Sequence, residues 1–431
     1  MKFTSKKSFS AISVALAAFC VPAFGGEKLP VSDVAPGWEI SAETLPPLVV
    51  EGTNPAQGVA GAFISSIGEV FRHDGGRCYT LVGKEIRVAG GALFPEKGPA
   101  DGGKKKYYDT IWTLESQNPL EWTPLAEKLP APVAYGVSVY NFDFRDPGER
   151  RANNYSGRRP FVASAGDLWL GGENADGRFD SVWNVRPGCA YDDDCPNLPA
   201  TIDNAAGVDK FVAGGNVNGV PANKAWIINI TDNHDGRDGS LKWSELPDFP
   251  GTPRIQPVAG RLNILNDTQI AFVLVGGFYF DKETKKATVD RAGVIYYPRE
   301  KKWKMLPPLP EDVSDAGLVG ACAVSDREGG MLILGGVNAK IFKDALENPA
   351  PDYLKHEPEW YKFNSDILRL SLDKDGNAKW EKLATVPATA RAGACAVEDG
   401  GHIFFVCGEL KPGFRSPECC LIKFEKIFRK P

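Results

Sequence analysis

Six times along this chain an apolar run ends in a glycine pair or its near equivalent. The runs are IRVAGG (86–91), LWLGGE (168–173), KFVAGGN (210–216), FVLVGGF (272–278), MLILGGV (331–337) and IFFVCGE (403–409), the last with Cys407 in place of the first glycine. Ahead of several stands a strand opening on small residues: GVAGAFISS (58–66), YGVSVYN (135–141), GACAVSD (320–326) and GACAVED (393–399). After the pair, a polar loop leads to a third strand, as in DTIWTL (109–114), KAWIINI (224–230) and DILRLSL (366–372). A fourth carries Trp and then Pro, as in EWTPLAEKLPAP (121–132), KWSELPDFP (242–250), KWKMLPPLP (302–310) and KWEKLATVP (379–387). Short strands of period two, separated by turn signals and recurring every roughly 40–80 residues, make the blades of a propeller. The repeat therefore predicts an all-β, six-bladed β-propeller, and one domain over residues 26–431 where length alone points to about three. The glycines are expected where a second strand ends against a crowded neighbour, and the Trp side chains between adjacent sheets.

The two ends of the chain complete each other. The last unit has strands at 393–397, 402–407 and about 418–424 but no Trp-Pro strand; that pattern stands at the other terminus, in GWEISAETLPP (37–47). The ring is expected to close by pairing of N- and C-terminal strands, with 37–47 as the outer strand, which removes an exposed edge. Before it, MKFTSKKSFSAISVALAAFCVPAFGG has Lys2, Lys6 and Lys7 ahead of an apolar run from Phe9 to Phe24. Residues 1–25 read as a signal peptide, implying an exported protein, periplasmic or secreted. Phe19 before Cys20 speaks against lipid attachment there. Cleavage takes away three Lys and no acid, moving the formal charge from −5 to −8. Such an acidic protein is a poor nucleic-acid binder, and no later apolar run is long enough to span a membrane.

Nine Cys are present. Cys189 and Cys195 bracket the polar loop CAYDDDC and are expected to bridge after export. Cys322, Cys395 and Cys407 lie in apolar strands and read as small core residues. Cys419 and Cys420 are adjacent on a strand, face opposite ways, and are not expected to bridge each other. The four His (73, 234, 356, 402) are scattered and no HExxH or CxxC motif occurs, so no metal centre is expected.

Three segments are more specific than the glycine pairs: GGVNAKIF (335–342), EWYKFNSDILRL (359–370) and GELKPGFRS (408–416). With GVAGAF (58–63), AYGVSV (134–139) and GGENADGRFDSV (171–182), they resemble the Kelch-type propellers of the N-acetylneuraminate epimerase (sialic acid mutarotase) family over most of the mature chain. The segment order is similar to the cyclically permuted branch of that family, a rearrangement a closed ring tolerates. The resemblance implies an isomerase that interconverts the α and β anomers of sialic acid, a small sugar acid, by acid/base ring opening, with no cofactor and no metal. It also implies Glu409 as the base and Arg415 as a bidentate partner of the sugar carboxylate.

Strands alternate in direction within a blade, so second-to-third and fourth-to-first loops emerge on one face. That face gathers Glu409, Lys411, Arg415, Asn338, Lys340, Asn216 and Glu173 with Arg254, Gln256, Tyr135 and Arg391. Asn338, Arg254, Gln256, Tyr135 and Lys411 are the candidate substrate-binding residues, and for each a solvated loop position is the competing reading. A sialidase is the alternative enzyme: FRDP (144–147) and SLDKDGNAKW (371–380) are similar to its motifs, yet both read better as turns. A non-enzymatic Kelch carbohydrate- or protein-binding module explains the fold but not GELKPGFR. A copper oxidase lacks a ligand set here.

Overall fold

The apolar runs that precede the glycine pairs are the second strands of antiparallel sheets, each flanked by its own first and third strands. The computed structural model describes residues 26–427 apart from 73–78, 117, 140–166, 187–188, 192–194, 232–239 and 265–268. Residues 1–25 with the expected signal peptide, the FRDP segment, and residues 192–194 between Cys189 and Cys195 lie outside the described residues. Among the described residues the protein is mostly β, with one α-helix, Ala339–Glu347.

Six sheets take up the six glycine-pair units. The first runs Phe63–Arg72, Tyr79–Ala89, Thr110–Glu115, Thr123–Lys128. The second has three strands among the described residues, Val137–Val139, Asp167–Leu170 and Val182–Val185. The third runs Ala206–Val208, Phe211–Ala213, Ala225–Thr231, Ser240–Glu245, and the fourth Val258–Asn263, Ile270–Val275, Gly293–Tyr297, Lys302–Leu306. The fifth is Ala321–Ser325, Met331–Gly335, Asp366–Leu372, Ala378–Thr385. In the sixth, Cys395–Asp399, His402–Val406 and Cys419–Lys426 are joined by Trp38–Leu45, paired from Trp38 opposite Lys426 to Leu45 opposite Cys419. The expected pairing of the two ends is present. Its outermost member differs from expectation: Lys28–Leu29 adds a fifth strand beyond Trp38–Leu45.

Because side chains alternate across a strand, each sheet has two apolar faces, and each face packs on a different neighbour. Phe63, Ala89 and Ile111 of the first sheet share a core with Trp169 and Trp183 of the second, while Ile64, Val88 and Trp112 pack on Val397, Phe404 and Leu421 of the sixth. Cys419 lies in that same core, whereas Cys420 turns into the core between the fifth and sixth sheets, the opposite orientation expected of adjacent strand residues. The Trp-Pro pattern has a direct cause: the indole N–H of one sheet donates to a proline carbonyl beside the preceding one. The pairs are Trp122 to Pro46 (3.0 Å), Trp243 to Pro196 (2.9 Å), Trp303 to Pro247 (2.7 Å) and Trp380 to Pro307 (3.3 Å). SLDKDGNAKW is a turn between the last two strands of the fifth sheet, with the Asp373 carboxylate accepting from the backbone N–H of Asp375 and Asn377, both at 2.8 Å.

One end of the first strands is tied by backbone hydrogen bonds from sheet to sheet. Tyr135 donates to Gly61, Asn204 to Tyr135, Gln256 to Asn204, Gly320 to Gln256, Gly393 to Gly320, and Gly61 to Gly393, returning to the start. All six residues have positive φ, between 52° and 67°. Among the described residues no helix is long and apolar enough to cross a membrane.

Candidate functional site

The GELKPGFRS segment folds as a hairpin, Glu409–Lys411 against Phe414–Arg415, with Pro412 and Gly413 at its tip. Pro then Gly at the centre of a four-residue turn sets φ near −60° and then positive φ, and Gly413 has φ 87°. A Cβ on Gly413 would also meet the Pro99 ring at 2.1 Å, so the tip is seated against the Pro99–Asp101 turn. The hairpin places Glu409 directly opposite Arg415. Cross-strand partners present their side chains on one face, which is why residues six apart meet.

They meet as an ion pair between Arg415 Nη1 and Glu409 Oε1, with side-chain exposures of 2% and 23%. The rest of Arg415 is held by protein: Nε donates to the Ala92 carbonyl at 3.3 Å, and the guanidinium lies over the Phe94 ring at 5.3 Å. Glu409 exchanges backbone hydrogen bonds with Ala392, next to the Gly393 link of the cycle. Burial pushes the Glu409 carboxyl above its ordinary value of 4.5, against the opposing pull of Arg415 and then Lys105. A carboxyl displaced toward neutrality in a partly exposed place is suited to both taking and returning a proton.

Around Glu409 stand groups from other sheets. The Lys105 ammonium lies 4.7 Å from the Tyr135 ring centre and 5.7 Å from that of Tyr107. The Tyr107 hydroxyl donates to Glu173 at 3.3 Å, and burial, then the Glu173 charge, raise the Tyr107 pKa. Arg178 bridges Glu173 (3.8 Å) and the buried Asp203 (2.7 Å), which also accepts from the Asn204 and Asn216 amides at 2.8 and 2.6 Å. Gln256 completes this belt, donating to Asn204 at 3.0 Å. From the other side Tyr353 is pushed up to about 12 by burial, then by Tyr361 and by the charge of Glu409.

The candidate binding residues divide. Tyr135 and Gln256 lie in the cycle and the belt. Lys411 turns aside, donating to the His356 carbonyl at 3.0 Å. Arg254 is fully buried and pins the Gly276 (2.7 Å) and Ala292 (3.0 Å) carbonyls and Asp290 (2.7 Å). Asn338 is engaged within the fold as well. Its side chain caps the helix by accepting from Lys340 and Ile341, both at 3.1 Å, and donates to Asp315 at 2.7 Å. Arg391 is likewise internal, bonded to the Ala388 and Glu418 carbonyls. Arg415 is not presented as an open fork, because its charge is spent on Glu409. Lys105, Tyr107, Arg178, Asp203 and Tyr353 escaped the sequence reading; the position just beyond a glycine pair, which holds Glu173, Asn216 and Glu409, is the signal that pointed nearest to them.

Comparison with known proteins places this hairpin in a recognised family. The family model described as N-acetylneuraminate epimerase matches residues 195–429, more than half of the 431 residues. The N-acetylneuraminate epimerase of Haemophilus influenzae (strain PittEE) is 31% identical over 203 residues, 44% of this chain and 50% of that protein. That of Pasteurella multocida (strain Pm70) is 26% identical over 243 residues, 52% of this chain and 58% of that protein. The matches thus span about half the length of these curated relatives. A solved structure titled "Structure of YjhT" has 21% identity and a TM-score of 0.40, covering 52% of this chain and 63% of that one. By the match over residues 195–429, which includes Glu409 and Arg415, the chain belongs to the N-acetylneuraminate epimerase family.

Proposed function

We propose that this protein interconverts the α and β anomers of N-acetylneuraminate, with Glu409 moving the proton. The observation that carries this reading is the Glu409–Arg415 pair, a partly buried carboxylate held on a hairpin that lies within the family match. Free sialic acid is a cyclic hemiketal. Opening it takes a proton from the anomeric hydroxyl and delivers one to the ring oxygen; closure on the other face of the carbonyl gives the other anomer. Glu409 takes the first proton and passes it to the ring oxygen, then reverses both transfers on closure, and its raised pKa shortens the energetic distance between the two states. Arg415 positions Glu409 and supplies its counter-charge. The Lys105 ammonium, over the Tyr107 and Tyr135 faces, is the cation offered to the sugar carboxylate.

The scaffold for this reading is a six-bladed Kelch-type propeller with the site at one end of its central channel. The sheet-to-sheet hydrogen bonds that return to Gly61, and the apolar cores shared between neighbouring sheets, support that arrangement. Export to a periplasmic or extracellular location rests on the basic and apolar pattern of residues 1–25. The deciding experiment adds purified protein to α-sialic acid and follows both anomers by NMR. An equilibration rate above the spontaneous one, proportional to protein, is expected; a rate equal to the spontaneous one overturns the proposal.

A further inference from the structure

In five of the six sheets the residue that ends the second strand is a glycine with φ between 59° and 74°: Gly90, Gly171, Gly214, Gly276 and Gly335. In the sixth it is Cys407, with φ 54°. This backbone disfavours side chains, and non-glycine residues held in it concentrate at functional places. Cys407 occupies it with its thiol fully inside the protein. The thiol points at two things: the Leu48 carbonyl, at 3.8 Å, and the side chain of Cys419, with which it hydrogen-bonds. Cys419 is also buried, in the same apolar core. The two residues bracket the loop Gly408–Glu418, and the Cys407 N–H donates to the Glu418 carbonyl at 3.1 Å across its base.

We propose that Cys407 and Cys419 form a disulfide that clamps the base of the hairpin carrying Glu409 and Arg415. A third thiol, Cys395, lies in the same core, but the ladder excludes its joining Cys419. Cys395 pairs with Val406 and Val406 with Cys419, so the two thiols stand two strands apart. That is about 9.6 Å between Cα atoms by strand spacing, beyond the ~7 Å a disulfide spans. Cys420 faces the other core. Between Cys395 and Cys419 as partner for Cys407, the side-chain contact is with Cys419, whose thiol also reaches the Pro417 carbonyl at 3.5 Å, and this selects Cys407 with Cys419.

The chemistry is thiol–disulfide exchange with a small or protein disulfide as oxidant. One cysteine thiolate attacks the oxidant's S–S bond, forming a mixed disulfide and releasing one thiol. The second thiolate displaces the remaining half, forming the Cys407–Cys419 bond and releasing a second thiol. Two cysteine thiols are oxidised, one oxidant disulfide is reduced by two electrons, and the two protons end on the released thiols. Both sulfurs are covered in the finished fold, so exchange precedes the closing of the sixth sheet on the first. Formation in the cell rests on the export reading, whereas oxidative refolding tests the pairing without it.

The test refolds the protein with reduced and oxidised glutathione, alkylates it under denaturing conditions and maps tryptic peptides without reduction. Lys411 precedes Pro412 and resists cleavage, so the expected product is Ala392–Arg415 joined to Ser416–Lys423, lighter by two hydrogens than the separate thiol peptides. Cys395→Ser should keep the linked pair and Cys407→Gly, which restores the glycine of the other sheets, should abolish it. Dithiothreitol should lower the Tm of the wild type by a few degrees and leave that of Cys407→Gly unmoved. Natively folded protein with Cys407 and Cys419 both alkylated overturns the proposal, as does a linked pair lost in Cys395→Ser. If Cys407→Gly does not fold, the Cys395→Ser map alone decides.

Discussion

Glu409 reaches its chemistry through its partner across the hairpin. Glu409→Gln keeps shape and hydrogen bonding but cannot accept a proton. The protein-dependent anomerisation rate should fall by roughly 10²–10⁴-fold, the contribution of general acid–base catalysis, while circular dichroism stays unchanged. The same carboxyl sets the acid limb of activity. A base works only when ionised, and burial raises the Glu409 pKa above 4.5, so kcat/KM should decline as pH falls through a midpoint above 4.5. Arg415→Met removes the cation that pulls this pKa down, and the midpoint should then move to higher pH in the same profile. Residue identity also explains a compensation elsewhere. A Cβ on Gly58 would come within 2.5 Å of the Cys407 sulfur, so the space that glycine leaves free in the other sheets is here left by Gly58. The motif made Glu409 and Arg415 legible in the sequence, but Arg415's burial was not, since nothing in FRS tells that Ala92 and Phe94 close over it.

At the scale of the element, the Trp-Pro strand is a connector between sheets. Trp243 is nearly buried and its N–H is satisfied by Pro196, although the second sheet lacks a fourth strand among the described residues. The segment ending in Leu198 thus takes the role that a Leu-Pro strand end plays elsewhere. Trp243→Phe keeps most of the apolar contact and removes the donor, leaving the Pro196 carbonyl unpaired. It should cost about 1 kcal/mol, the net worth of one such bond, measured as a shift of the denaturation midpoint at unchanged slope. The strands were legible because their period of two and their turn residues are local signals. The helix Ala339–Glu347 was not, because the Asn of GGVNAKIF reads equally as a helix cap or as a ligand-facing side chain.

At the scale of the molecule, the sixth sheet is built from both ends of the chain, eight residue pairs joining Trp38–Leu45 to Cys419–Lys426. Deleting residues 26–45 strips that partner from Cys419–Lys426 and exposes a flat apolar edge together with Ile422 and Phe424, which pack beside Ile40. The truncated protein should melt at lower temperature and aggregate, seen by scanning fluorescence with light scattering. Unchanged melting would refute the idea that the pairing latches the sheets.

The sequence by itself determined the repeat, the strand order within each sheet and the complementary ends, because glycine pairs, alternation and Trp-Pro spacing act over a few residues and recur. It also singled out one hairpin. Only the tertiary structure decided which polar residues are available at the site. Arg254, Asn338 and Arg391 carry the same side chains as ligand-binding residues, yet neighbouring backbone carbonyls and carboxylates, distant in sequence, absorb their hydrogen bonds. Lys105 and Tyr353 are brought near Glu409 from the first and fifth sheets by packing alone. A side chain's chemistry is written in its own residue; its availability depends on what the rest of the fold sets against it.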